Sequence, residues 1–406
     1  MKKKLIGALL LAACATQEAA TKPPDPAPAA AAPEPVKAEP KKFMADTSKP
    51  MPAGLDDGAM DLTADPCADF YQYACGGWMA KTEIPEDRAL NSRGFVSIAD
   101  RNEQNLRAIL DEAAANKLPA GTPYAQQIGD AFASCTDDAA IEKSLPEVKK
   151  YIASVTAVKN AKDLAKQVAV LHADGYRPFF NIGSQQDLKD ASLVILGLDQ
   201  GGLGLPDRDY YTDESDKMKE VRAAYLAHVE KMFTLAGEKP EVAKQNAETI
   251  LALETRLAKA SMTRVERRDP QKLYNRVDSK GLREKAGDFA WDTYFPAVGA
   301  KDALAINVSS VAFFAEVSAI AKDTKPEVLK PYLAWNVLRG AANALPKAFQ
   351  EEAFSFSSKN FTGAKQDRPR WKKCVSFVDG ELGEALGREF ARRFFPEESK
   401  ARTNAM

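Results

Sequence analysis

Histidine is scarce in this sequence: only His172 and His228 occur among 406 residues. Imidazole is a frequent metal ligand and general base, so this scarcity restricts metal and hydrolytic chemistry. A zinc-peptidase helix of the His-Glu-x-x-His type needs two histidines four residues apart. These two have no such partner, so the signature does not occur in the sequence. We predict that His172 is a helix-surface or packing residue, that His228 is a partly exposed helix residue, and that neither binds metal.

Excess charge and long apolar runs are also missing. Lys plus Arg total 56 and Asp plus Glu total 57, giving a net charge of −1, so no basic excess indicates nucleic-acid binding. The first apolar run, Leu5–Ala13, is shorter than the ~20 residues that span a bilayer. Neither a phosphate-binding P-loop nor a Gly-x-Ser-x-Gly nucleophile turn occurs, so no local motif proposes catalysis.

The N-terminus resembles an export signal. Lys2–Lys4 precede the short apolar run, which ends in Leu11-Ala12-Ala13-Cys14, similar to a bacterial lipoprotein lipobox. We therefore predict a signal peptide over residues 1–13, lipidation at Cys14, and a chain exported and anchored by lipid to the cell envelope. The alternative is an ordinary secretory signal cut near Ala13. Export in either form permits disulfides.

A proline-rich segment follows, and we predict a disordered tether over residues 14–55. Between Ala15 and Lys42, nine of 28 residues are alanine and seven are proline. Proline fixes φ and removes a hydrogen-bond donor, and the segment has almost no large apolar side chain to bury. Polyproline recognition by a partner is an alternative, although the segment has no aromatic residues.

The remaining body is predicted to be mainly α, a large multi-helix domain. Apolar residues recur at steps of three and four in several segments. One stretch differs, because two short apolar runs, Pro178–Ile182 and Ser192–Leu196, flank polar residues and predict a small β-hairpin. The predicted helices cover 101–116, 163–174, 218–233, 241–260, 326–342 and 377–395.

Four stretches have a specific pattern. The first, Asp65–Trp78, has two cysteines eight residues apart around closely spaced aromatic residues. This stretch and three later ones, which occur in the same order as in the family, resemble the neprilysin and endothelin-converting-enzyme family of zinc metallopeptidases. The resemblance covers about Asp56 to the C-terminus. The later stretches are Gly202–Tyr211, then Glu254–Ala258 with Arg267–Pro270 and Tyr274-Asn275, then Arg370–Cys374 with Gly383–Gly387.

The resemblance implies the N-terminal, non-catalytic half of such a peptidase. In the family, the zinc ligands lie beyond the point that matches Met406, in a second lobe. The helical half is a lid over a large cavity that restricts substrates to peptides. Residues 56–396 are thus expected to form the helical domain, and 397–406 the start of the link to the catalytic lobe. No cofactor is expected within this chain, and zinc belongs to the missing lobe.

Three functional interpretations remain open at this point. The chain is a fragment or truncated member of a lipoprotein metallopeptidase, inactive alone, or half of a split peptidase completed by a separate catalytic chain. Alternatively, it is a stand-alone peptide-binding or scaffold lipoprotein. The DNA downstream of codon 406 distinguishes these interpretations.

The resemblance also implies a role for an arginine and for four cysteines. In the family, an arginine that contacts substrate follows the Ile84-Pro85 element. Arg88 and Arg93 are both candidates for that position, and we prefer Arg93 as the substrate-binding residue. The plainer alternative is that Arg93 is an exposed loop arginine.

Cys135 and Cys374 match a family disulfide that closes within the N-terminal half. Cys67 and Cys75 match cysteines with partners in the catalytic lobe, so they are expected to be orphaned or bonded to each other. The plainer alternative is four small buried hydrophobic side chains.

Overall fold

The computed structural model describes residues 56–301 and 303–406. The predictions for the signal peptide over 1–13, for Cys14 and for the tether over 14–55 lie outside the described residues. The chain divides into a small unit that ends at Glu83 and a larger unit that begins at Ile84.

The small unit contains one helical turn, Asp57–Ala59, and one helix, α1, Phe70–Met79. Asp69 begins α1 because its carboxylate accepts a hydrogen bond, 2.9 Å long, from the backbone N–H three residues later. A side chain at Gly77 would overlap the backbone carbonyl of Met60, so glycine lets this helix lie close to the preceding segment.

The larger unit is helical, as the apolar spacing predicts. Its first eight helices are α2 Phe95–Ala114, α3 Ala125–Thr136, α4 Asp138–Ile141, α5 Leu145–Ser154, α6 Ala161–Ala173, α7 Asp209–Thr212, α8 Asp216–Leu235 and α9 Pro240–Ala260. The others are α10 Pro270–Leu273, α11 Ser279–Ala286, α12 Trp291–Ala297, α13 Val311–Asp323, α14 Pro326–Ala341, α15 Lys347–Ser357, α16 Arg370–Phe394 and α17 Glu397–Ala405.

The predicted helices are found, with differences at their ends. Helix α16 begins at Arg370, seven residues before its first predicted residue, and Leu382 interrupts it with φ −127° and ψ 27°. On α9, the spacing of Val242, Ile250, Leu253 and Leu257 predicts one apolar face, but Val242 is 45% exposed. Ala243 and Ala247 are buried instead, since the inner face begins one residue later.

The strands form a larger sheet than the predicted hairpin. Strands β1, Phe180–Gln186, and β2, Val194–Gln200, pair antiparallel as predicted. Two further short strands, β3 (Arg276–Val277) and β4 (Ile306–Val308), extend the sheet in the order β1-β2-β4-β3, with β4 parallel to β2. Two- and three-residue strands leave too little alternation to be seen in a sequence.

The larger core is rich in aromatic side chains. Phe180, at the start of β1, packs its ring against Phe289, Trp291 and Tyr294, with ring centroids 5.3–5.7 Å apart. All four side chains are fully buried. Burying a large apolar side chain contributes about 1.5–3 kcal/mol, so these contacts fix the hairpin against α12.

A second, smaller apolar cluster lies among α2, α3 and α16, and we call it the three-helix cluster. Its buried residues include Ile109 and Leu110 on α2, Phe132 on α3 and Val378 on α16. The Cys135–Cys374 disulfide joins α3 to α16.

Candidate functional site

A glycine-rich turn, Gly201–Tyr211, follows β2 and carries the second of the four specific stretches. Gly202 has φ +76°, in the left-handed region, and a Cβ there would overlap the Tyr332 hydroxyl and the Phe179 backbone. At Gly204, a Cβ would overlap the Tyr225 hydroxyl. The turn therefore lies against buried tyrosines at a distance that only glycine permits.

Hydrogen bonds from Tyr332 join this turn to the start of β1. The Tyr332 hydroxyl donates to the Gly202 carbonyl at 2.8 Å and accepts from the Phe179 N–H at 2.8 Å. Phe179 is buried and has φ +63°, which is rare for an aromatic residue. Such a conformation persists only where surrounding contacts impose it, so the backbone at this junction is held rigidly.

A buried carboxyl group, Glu254 on α9, lies beneath the turn. It accepts hydrogen bonds from the hydroxyls of Tyr211 at 2.7 Å and Tyr225 at 2.8 Å, and Trp335 donates to the Tyr225 hydroxyl at 2.7 Å. Complete burial raises the pKa of Glu254 to about 7, although the charge of Arg339 and the tyrosine bonds oppose the shift. The same burial raises the pKa of both tyrosines. Because Tyr211 belongs to the turn and also accepts a hydrogen bond from the Leu205 N–H, this network fixes the position of the turn relative to α9.

Above this network, the turn forms one wall of a cleft with a volume of about 420 Å³, which we call the arginine cleft. It lies between the β1–β2 hairpin, the end of α9, the segment after α9 and the end of α14. Five arginines and one aspartate account for all the formal charge of its lining. These residues are Arg177, Arg208, Arg264, Arg267, Arg339 and Asp207.

Three of the five guanidinium groups lie within ion-pair distance of a carboxylate: Arg264 pairs with Asp207, Arg267 with Asp199 at 2.8 Å, and Arg208 with Asp209 at 3.9 Å. These pairs neutralise much of the positive charge at the outer edge of the cleft.

Three of the five guanidinium groups donate to backbone carbonyl oxygens. Arg177 donates to His172 at 3.0 Å, Arg208 to Ser261 at 2.9 Å and Arg339 to Leu203 at 2.6 Å. A carbonyl orients a guanidinium group but carries no net charge to cancel it. The lining therefore carries an excess of positive charge on side chains with fixed positions, and Asp209 beside Arg208 and Glu254 near Arg339 offset part of that charge.

The two candidate substrate-binding arginines lie elsewhere. Arg88 makes a two-bond ion pair with Asp100, at 2.7 and 3.2 Å, so its guanidinium group is engaged within the fold. Arg93 is exposed just before α2, and its carbonyl accepts a hydrogen bond from the Ser97 hydroxyl at 3.0 Å. Neither residue lines the arginine cleft.

The cysteines fall into two groups. Cys135 and Cys374, the pair that the family resemblance implies, form a disulfide across 239 residues of sequence. Cys67 is exposed and Cys75 partly buried, and both are free thiols in the structure.

The two histidines are packing residues. Of the two alternatives predicted for His172, a helix-surface or a packing residue, the structure shows the second. Its side chain is buried, and its ring nitrogens contact the Tyr294 hydroxyl and the Pro178 carbonyl. The prediction that His228 is partly exposed is wrong, because it is 6% exposed, stacked on Phe356 and bonded to Glu352 at 2.9 Å. Its helix α8 is covered by α15, and a single sequence does not reveal that cover.

Burial lowers the pKa of both histidines, that of His172 to about 4, so they favour the neutral form. Across residues 56–301 and 303–406, no three histidine, cysteine, aspartate or glutamate side chains converge as metal ligands.

Part of this site could have been found from the sequence. Glu254 lies four residues after Ile250 and three before Leu257, so helical periodicity places it on the buried face of α9. A buried glutamate requires hydrogen-bond donors, and the two tyrosines were available in the sequence. The arginine cleft had no such signal, because its arginines are up to 162 positions apart, from 177 to 339.

Comparisons with known proteins agree with this architecture. Residues 66–406 match the family model described as peptidase family M13. The chain belongs to this family. Endothelin-converting enzyme 1 of Mus musculus is 30% identical to the M13 chain over 358 residues, and membrane metallo-endopeptidase-like 1 of Mus musculus is 27% identical over 369 residues. Each alignment covers 84% of this chain, but 45% and 47% of the relative.

A solved structure gives the same result. The zinc metalloprotease Zmp1 of Mycobacterium tuberculosis, solved with an inhibitor, superposes with a TM-score of 0.80 at 30% identity. The match covers 88% of the M13 chain and 54% of Zmp1. The chain thus spans about half the length of these relatives and has the fold of the N-terminal half of a neprilysin-like metallopeptidase. No helix in the described part is long and apolar enough to cross a bilayer.

Proposed function

We propose that this chain supplies the helical, non-catalytic lobe of a neprilysin-like zinc metalloendopeptidase that hydrolyses peptides. The observation that carries the proposal is the fold shared with a zinc metalloprotease over about half of that enzyme. In this proposal the helical lobe limits access to peptide substrates, and the zinc-binding residues lie outside these 406 residues.

The described residues do not fit a catalytic zinc. Such a site needs about three protein ligands that converge on one point and an open position for water. His172 lies among aromatic rings, and His228 is stacked on Phe356. We therefore derive no hydrolytic step from this lobe and propose that it is inactive alone.

Peptide hydrolysis tests this proposal. The purified chain, supplied with zinc, should leave a bradykinin-sized peptide intact, while full-length Zmp1 serves as the positive control. Cleavage that a chelator abolishes, and that copurifies with the chain, would show that a zinc site exists within it.

The DNA that follows codon 406 tests how the second lobe is supplied. A His-Glu-x-x-His reading, in or out of frame, would support one two-lobed enzyme. A neighbouring gene for the catalytic half would support a separate catalytic chain. If neither sequence is found, the result would favour a stand-alone peptide-binding lipoprotein.

We also propose that the chain is exported and anchored through lipid on Cys14, on the basis of the Leu11–Cys14 motif. Replacing Cys14 with serine should move the protein from the membrane fraction to the soluble exported fraction. Replacing Cys67 with serine is the matched control and should leave fractionation unchanged. Equal membrane retention of both variants would refute the anchor.

A third proposal is that Cys67 and Cys75 bond to cysteines outside this sequence. Both are free, and at least one is accessible. In the purified chain, both thiols should react with an alkylating reagent or form intermolecular disulfides, whereas Cys135 and Cys374 should not react before reduction. A peptide linking Cys67 to Cys374 would contradict the proposed pairing.

A further inference from the structure

We propose that the arginine cleft binds a carboxylate group of a peptide, either an acidic side chain or a free C-terminus. The inference rests on the proposed peptide-handling role of this lobe, and it assigns a ligand chemistry to a site other than Arg88 and Arg93.

Charge is the first argument. Within the lining, Asp207 is the one acidic side chain opposite five arginines. The hydrogen-bond partners of Arg177 and Arg339 are carbonyl oxygens and an amide, and Arg208 approaches the Asp209 carboxylate at 3.9 Å. Arg339 also interacts with the charge of Glu254, so the positive charge is least compensated at Arg177. Several guanidinium groups around one cavity repel each other, and an anion in the cavity relieves that repulsion.

Geometry is the second argument. The planar guanidinium group presents parallel N–H groups that match the two oxygens of a carboxylate. Arg208 is held by its bond to Ser261, and its Nε is buried without a hydrogen-bond partner among the described residues. Buried donors without a partner are uncommon, and this Nε, 3.9 Å from the Asp209 carboxylate, is available to a ligand oxygen or to water.

The rest of the lining indicates a peptide rather than a small inorganic ion. The cleft is about 420 Å³, within the range of small-ligand sites and larger than one carboxylate requires. Leu203, Leu205 and Met262 supply apolar surface, and the side chain of Asn181 supplies an amide. A carboxylate with the adjoining aliphatic and amide groups of a peptide matches this combination of groups.

The rigid wall favours binding further. Gly202, Phe179 and Tyr332 are joined by hydrogen bonds, and Glu254 holds the turn through Tyr211 and Tyr225. Because these groups are already ordered, a ligand need not supply the free energy to order them.

Fluorescence anisotropy with the purified chain tests the proposal without any catalytic lobe. Three labelled five-residue peptides of glycine and alanine serve as probes: one with a central glutamate and blocked ends, one with a free C-terminal carboxylate, and one neutral with blocked ends. We expect saturable binding of one or both carboxylate peptides, weakened by added salt, and at least about tenfold weaker binding of the neutral peptide. The peptide that binds identifies the source of the carboxylate.

Matched variants assign the binding to the cleft. Arg177→Gln should weaken carboxylate binding about tenfold. Arg177→Lys should retain part of the affinity that Arg177→Gln loses, because lysine keeps the positive charge but lacks the parallel N–H groups of the guanidinium. Arg268→Gln removes the same charge from an exposed arginine outside the cleft and should have little effect. Melting temperatures of all variants verify that each one folds.

Two results would overturn the proposal: equal binding of the neutral and carboxylate peptides, or no saturable binding up to about 5 mM peptide. Equal weakening by Arg177→Gln and Arg268→Gln would also overturn it. Since the readout is binding by this chain alone, failure here leaves the hydrolysis test of the proposed function intact, and the reverse also holds.

Discussion

The larger core encloses tryptophan, tyrosine and phenylalanine side chains around a hydrogen-bonded polar network, whereas the three-helix cluster encloses Phe132, small aliphatic side chains and a disulfide. Large buried rings stabilise the first region in proportion to the area they remove from water. The second has less area to bury, and its crosslink restricts the unfolded chain instead. The same protein therefore uses packing in one place and covalent restriction in another.

The largest expected effect separates these two mechanisms. Replacing Cys135 and Cys374 with alanine should lower the free energy of unfolding by about 4 kcal/mol, because the disulfide closes a loop of 239 residues. Urea unfolding measures this loss. Because the loop contains the larger core, hydrogen exchange should rise in both regions, and most in α2, α3 and α16, which meet at the disulfide; Cys67→Ala is the control. No additional loss of protection in α2, α3 and α16 would contradict a local role for the disulfide.

Glycine substitutions sharpen the comparison. Gly204→Ala should cost about 3 kcal/mol, because the new methyl group would overlap the Tyr225 hydroxyl, which bonds with Glu254 and Trp335 prevent from moving. Gly387→Ala, in α16 with open space at its Cβ position, should instead stabilise by up to about 1 kcal/mol. Thermal unfolding compares them, and equal effects would contradict the contrast between tight and open packing.

The pH dependence of stability tests the buried network. The pKa of Glu254 is about 7 in the folded chain and 4.5 as its ordinary value, so the folded state binds more protons between these values. Stability from this group is present below pH 4.5 and is lost as pH rises to about 7.

Relative to Glu254→Gln, which does not titrate, the unmodified protein should thus lose about 2–3 kcal/mol between pH 4 and 8. Urea unfolding at several pH values measures this difference. His172, with its pKa lowered to about 4, acts in the opposite direction, since its contribution is lost as pH falls below 6.5. A constant difference between variant and unmodified protein would contradict the raised pKa of Glu254.

The smallest expected effects concern two ion-paired arginines, one in each region. In the three-helix cluster, Glu389, the partner of Arg393, is buried, but Arg392 also pairs with it. Arg393 on α16 donates hydrogen bonds to Glu389 on the same helix and to Glu112 on α2. Arg393→Gln should lower the free energy of unfolding by about 1 kcal/mol. Arg256→Gln, on α9 beside Glu316, should cost about 0.5 kcal/mol or less. Salt should reduce the loss more for the exposed Arg256 pair than for the Arg393 pair, and the reverse ranking of the two losses would indicate that the three-helix cluster does not depend on Arg393.

Helical periodicity predicted most long helices because each packs one apolar face against a neighbour. It misjudged Val242, since α9 has alanines on its buried face and a valine just outside it. Strands β3 and β4 were missed because two and three residues are too few to show alternation; β4 is fully buried, whereas Arg276 in β3 is exposed. Strand β4 joins the sheet by pairing with β2, a contact between residues more than 100 positions apart that local spacing does not reveal.

The helical class, the hairpin and the family could be predicted from the amino-acid sequence, because these depend on local spacing and on motifs continuous in the chain. Only the tertiary structure decided that His228 is buried, that Glu254 is held by two tyrosines and that arginines from four segments line one cleft. Burial and electrostatics depend on distances in space between residues far apart in the chain, and these distances arise only when the helices pack.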